Sequence, residues 1–102
     1  MEVTAYRCNG ALNVELCGEL DHHAAACARR ELDAAIAADT NCDVILNMSR
    51  VTFMDSSGLG VLLGRYKRVA ANGGKMYIYG ASRTVDKLLR MSGIYSLIER
   101  IG

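Results

Sequence analysis

The chain has no proline, no low-complexity tract, no internal repeat and no polar linker among its 102 residues. Nothing divides it, so residues 1–102 read as one compact domain, able to fold alone but with little spare core. Its net charge is only +1. That leaves no electrostatic footprint for nucleic acid, and direct DNA or RNA binding is not expected. No apolar run approaches the length of a membrane span, and the opening MEVTAYRCNG lacks the apolar core of a signal peptide. No membrane contact is expected, and the expected compartment is the cytoplasm.

Chemical signatures are missing too. Cys8, Cys17, Cys27 and Cys42 have no CxxC spacing, so they read as reduced, partly buried small residues rather than a zinc site or disulfide framework. His22 and His23 are adjacent, and neighbouring helical residues diverge by about 100°, so no metal ligand pair is expected. A P-loop is absent, and Gly73-Gly74-Lys75 lies between a helix and a strand, the wrong order to cradle phosphate. Met54-Asp-Ser-Ser-Gly58 lacks the first glycine of G-x-S-x-G. A nucleotide-binding or hydrolytic enzyme is therefore the weaker alternative.

What is present alternates between strand and helix. Val3–Cys8 and Ala11–Cys17 read as a hairpin about Asn9-Gly10. That register sets Cys8 opposite Ala11 and Cys17 opposite Glu2, too far apart along the ribbon for a disulfide. Val3, Ala5, Leu12, Val14 and Leu16 then share a dry face. Asp21 is the expected cap of a first helix to about Ala38, with Ala24, Ala28, Leu32, Ala35 and Ile36 inward. Asp43–Met48 is an apolar central strand. Ser56 to about Ala71 is a second helix, stopped by Asn72-Gly73-Gly74. Lys75–Tyr79 is a strand, Ser82 caps a third helix to about Met91, and Tyr95–Ile101 is a weak last strand. This order implies an α/β fold: a mixed, mostly parallel sheet with an N-terminal β-hairpin and helices packed mainly on one face. Three strand-to-helix junctions, 18–23, 53–60 and 80–84, should gather at one sheet edge, where such folds place their sites.

The run Phe53-Met-Asp-Ser-Ser-Gly-Leu-Gly60 carries the most information. It sets Asp55, Ser56 and Ser57 at a helix start, where backbone N–H groups and the positive dipole end favour negative charge. It closely resembles the signature of the anti-sigma factor antagonists of the STAS family. Gly18-Glu-Leu-Asp-His-His23 resembles that family's second motif, and Arg90-Met-Ser-Gly-Ile94 its third-helix exit, so the likeness spans nearly the whole chain.

The resemblance implies a regulator rather than an enzyme. The serine after the aspartate, here Ser56, would be phosphorylated reversibly, with Asp55, Ser57 and Gly58 as its surroundings and Asp21, Met54, Gly58, Leu59 and Gly60 as partner contacts. The unphosphorylated form would bind an anti-sigma factor serine kinase and release the sigma factor; phosphorylation would end binding. The implied partners are that kinase, which supplies Mg-ATP, and a phosphoserine phosphatase. No cofactor or catalytic residue of the chain itself is implied, and the free protein is expected to be a monomer. The alternative is a STAS partner-switching module of another stress or signalling pathway. Asp55 reads as the helix cap, with a base for the Ser56 hydroxyl as its other possible role. Close packing on the sheet is expected for Gly64, and either such packing or partner approach for Gly58 and Gly60. Arg65, Lys67 and Arg68 read as a solvated basic face or as a weak contact with an acidic partner surface.

Overall fold

A computed structural model describes residues 1–38 and 42–102. The strands are β1 (Glu2–Cys8), β2 (Ala11–Leu20), β3 (Asp43–Met54), β4 (Met76–Tyr79) and β5 (Glu99–Ile101); the helices are α1 (Ala25–Ala38), α2 (Ser56–Ala71) and α3 (Arg83–Ser92). They form one five-stranded sheet in sequential order, antiparallel between β1 and β2 and parallel thereafter.

The hairpin has the expected register, Cys8 opposite Ala11 and Cys17 opposite Glu2. Asn9 and Gly10 both take positive φ, 53° and 78°, the type I′ geometry that matches strand twist. Alternation then divides the sheet. Leu12, Val14, Val44, Leu46, Met76 and Ile78 are buried under the helices, while Asn13, Ile45, Asn47 and Tyr77 on the other face are only half-buried. Parallel pairing aligns the buried rows, with Leu12 beside Val44 beside Met76 and Val14 beside Leu46 beside Ile78.

β3 is longer than expected, running to Met54 rather than Met48. Its pairing with β2 slips twice, between Glu15 and Cys17 and between Gly18 and Glu19. Each slip places an extra residue on β3 and turns the following side chains over. Met48, Val51 and Met54 are therefore all buried at a spacing of three, which a search for alternation reads as the end of a strand.

α1 begins later than expected. Asp21 Oδ1 accepts from Ala24 N at 3.0 Å, but residues 22–24 form a turn and the regular helix starts at Ala25. Ala25, Ala28, Leu32 and Ile36 are buried, so Ala25 takes the place expected of Ala24, and Ala35 is half-buried. The expected final strand divides into a short 3-10 turn, Ile94–Ser96, and β5. None of the four cysteines is in a disulfide.

Arg65 also departs from expectation. It is buried between α1 and α2, while Lys67 and Arg68 remain exposed. Asp33 of α1 pairs with both arginines, its Oδ1 2.9 Å from the buried Arg65 Nε and 2.8 Å from Nη1 of the exposed Arg68.

Candidate functional site

Two of the three junctions meet at the sheet edge. α2 starts where expected, and Asp55 is its cap, with extended backbone at φ −122°, ψ −169°. Asp55 Oδ1 accepts from Ser57 N at 2.9 Å and from Gly58 N at 3.3 Å. Its second oxygen reaches across to the β2–α1 turn, accepting from His22 N at 3.2 Å. The turn is closed on itself by Asp21 and tied to α2 by Asp55. Ser56, next to the cap, is exposed, as are His22 and His23.

The packing beneath explains the spacing of the signature. Leu20 pairs with Met54 at the end of the sheet, and Gly58 sits on both. A Cβ at Gly58 would stand 2.5 Å from Met54 Cγ and 2.6 Å from the Leu20 carbonyl oxygen. Only glycine lets α2 approach this closely. Of the expected partner contacts, Met54, at 6% exposure, and Gly58 thus lie below the surface. They support the site rather than present it. Asp21 and Leu59 are half-buried and Gly60 is exposed. A Cβ at Gly60 or Gly64 meets nothing within 4 Å, so the close packing expected at Gly64 is absent.

The third junction is left behind. β4 pairs with β3 only over Val44–Asn47, and the Gly80 Cβ position lies 3.1 Å from Ser49 Cβ. β3 continues five residues beyond Ser49, on the order of 15 Å at strand rise. Gly80 therefore stands well back from Ser56 along the sheet, and Ser82 caps α3 by accepting from Val85 N at 3.3 Å.

Two further features were not read from the sequence. Phe53, beside the cap, is 49% exposed; its signal was its position between inward Met54 and outward Thr52 at the end of β3. A shallow cavity of about 480 Å³ is lined by Met1, Glu19, Asp21, His23, Ala24 and Cys27. It gives the Asp21 side of the site a concave surface with two carboxylates. Among the described residues, no group of three or more His, Cys, Asp or Glu could hold a metal ion, and no helix is long and apolar enough to cross a membrane.

The arrangement offers an exposed serine at a helix start, flanked by an aspartate-closed turn. Comparison with known proteins matches residues 2–101 to the family model described as STAS domain. The anti-sigma F factor antagonist of Paenibacillus polymyxa is 43% identical over 89 residues, covering 87% of this chain and 76% of that protein. Among solved structures, the anti-sigma factor antagonist SpoIIAA in its unphosphorylated form is 30% identical with a TM-score of 0.72, over 99% of this chain and 88% of that one. The Bacillus cell fate determinant SpoIIAA in the phosphorylated form is also 30% identical at TM-score 0.72, over 99% of this chain and 92% of that one.

Proposed function

Because this chain belongs to the STAS domain family, we propose that it is an anti-sigma factor antagonist whose binding is switched by a phosphate on Ser56. The unphosphorylated form docks on an anti-sigma factor serine kinase through Asp21, Ser56, Leu59 and Gly60, with Phe53 alongside, and so frees the sigma factor. The kinase transfers a phosphoryl group from its own Mg-ATP to Ser56, this protein leaves, and a phosphoserine phosphatase resets it. The chain acts as a monomer when free and needs no cofactor of its own.

The observation that carries this reading is Ser56 exposed at the start of a helix whose cap is already satisfied. Support comes from the 43% identical anti-sigma F factor antagonist and from the 30% identical SpoIIAA, solved both with and without its phosphate. Phosphorylation adds about −1.5 to −2 charges and strong acceptor oxygens. At a helix N-terminus the peptide dipoles offset that charge locally, so the fold is retained. The switch then works at the partner surface through repulsion and bulk.

The test is mass spectrometry after incubation with the cognate anti-sigma kinase and Mg-ATP. One phosphate on Ser56, absent in Ser56→Ala, is the expected result. An unmodified chain under conditions where the two proteins bind would reduce Ser56 to a helix-start residue.

A further inference from the structure

Asp55 stands next to Ser56, so a first glance assigns it the proton of the Ser56 hydroxyl. Its contacts point elsewhere. Both oxygens are engaged by backbone N–H groups, Oδ1 by Ser57 and Gly58 and Oδ2 by His22, thirty-three residues away. A carboxylate has about four lone-pair sites, and three donors from two different elements already converge on this one. Those elements carry the two parts of the surface described above: the turn closed by Asp21, and the start of α2 with Ser56 and Gly60.

We propose that Asp55 is a positioning residue that holds the β2–α1 turn in register with the start of α2, so that the kinase meets both as one preformed surface. The proposal rests on reading Ser56 as a kinase substrate. In the transfer step the Ser56 Oγ–phosphorus bond forms as the bond from phosphorus to the ADP oxygen breaks. The hydroxyl proton passes to a carboxylate of the kinase, not to Asp55. Pre-organisation of this kind lowers the entropy lost on docking, so its loss appears in KM rather than in kcat.

Two variants interrupt the tie from opposite sides. Asp55→Asn keeps one oxygen for Ser57 and Gly58 but turns an NH2 group toward the His22 N–H, placing donor against donor. His22→Pro removes the donor and leaves the carboxylate intact. The first measurement is native-state amide hydrogen exchange on the free protein. In Asp55→Asn the His22 amide is expected to exchange about tenfold faster, the size of one lost charge-assisted hydrogen bond, while Val61 and Leu62 keep their protection. The second is phosphorylation by the anti-sigma serine kinase with Mg-ATP. Both variants should raise KM about tenfold and hold kcat within about threefold, and the double variant should be no worse than either single one.

Unchanged His22 exchange in Asp55→Asn overturns the proposal. So does a fall in kcat of a hundredfold at constant KM, which is what removal of a base produces. If wild type is not phosphorylated at all, the substrate reading fails, and the exchange measurement still decides whether Asp55 ties the turn to α2. If Asp55→Asn does not fold, His22→Pro carries the kinetic measurement, and exchange of its Ala24 amide, which donates to Asp21 Oδ1, reports whether the turn has loosened.

Discussion

Arg65 of α2 meets Asp33 of α1 between the two helices, Nε 2.9 Å from Oδ1, with the arginine side chain only 10% exposed. The contact is close but not directed: Asp33 Oδ1, Arg65 Nε and Arg65 Nη1 have no aligned hydrogen-bond partner. Burial pushes the Arg65 guanidinium below its usual value, and the charge of Asp33 opposes that shift. The pair joins the two helices whose N-terminal ends border the site.

Removing the anion is expected to cost more than replacing the cation. Asp33→Ala leaves Arg65 buried without a counter-charge and should lower stability by about 2–4 kcal/mol in urea titration. Arg65→Met removes charge and desolvation together while keeping the aliphatic stem, and should fall within about 1.5 kcal/mol of wild type. Equal losses in the two variants would mean that the pair is not electrostatic in origin.

Glycine substitutions should separate support from surface. Gly58→Ala drives a methyl into Met54 and the Leu20 carbonyl and is expected to cost about 2 kcal/mol or more. Gly60→Asp meets open space and puts an acid near a helix start, so its thermal midpoint should stay within a few degrees of wild type. Its affinity for the anti-sigma kinase should drop at least tenfold, readable by calorimetry. Unfolding of Gly60→Asp would contradict the open geometry.

Ser56 variants test the switch itself. Ser56→Ala should bind the kinase like wild type and remain bound after Mg-ATP is added. Ser56→Asp should bind more weakly than wild type but more tightly than the phosphoprotein, because it carries less charge and fewer acceptor oxygens. Phosphorylation should leave the circular-dichroism spectrum unchanged. Loss of helix signal would replace surface repulsion with refolding as the mechanism.

The pH dependence of stability should carry the mark of Asp86 and Tyr95. Tyr95 donates to Asp86 Oδ1 at 2.6 Å, Arg90 pairs with Oδ2, and Arg100 Nε lies 3.4 Å from Oδ1. The Tyr95 hydrogen bond, then Arg90, holds the Asp86 carboxyl below its usual range. Burial and the same carboxylate push the Tyr95 hydroxyl well above its own. A lowered folded pKa stabilises above the unfolded carboxylate value, about 3.9, and that contribution is lost as pH falls through the folded value. A raised one stabilises fully below the unfolded tyrosine value, about 10, and is lost as pH rises from there through the folded value. Thermal midpoints from pH 2 to 11 should show Asp86→Asn with a flatter acid limb and Tyr95→Phe with a flatter alkaline one. Unchanged limbs in both variants would remove this cluster from the pH response.

Local chemistry was legible in the sequence. The Asn9-Gly10 turn, its register, the Asp55 cap, both ends of α2 and the Ser82 cap each depend on hydrogen bonds and φ preferences within about four residues. Those few residues determined the helix start that presents Ser56, and their spacing carried the family resemblance. What depended on distant partners was not legible. The length of β3 follows from two slips against β2, the burial of Arg65 from an aspartate on another helix, and the opposite situations of Gly58 and Gly60 from what lies beneath each. The tie between Asp55 and His22 joins residues thirty-three positions apart, and no local pattern records it. Sequence alone placed Asp21, Asp55 and Ser56 at the junctions where strands hand over to helices. Only the tertiary structure decided which of them touch, because contact there is set by how far each strand extends before its helix begins.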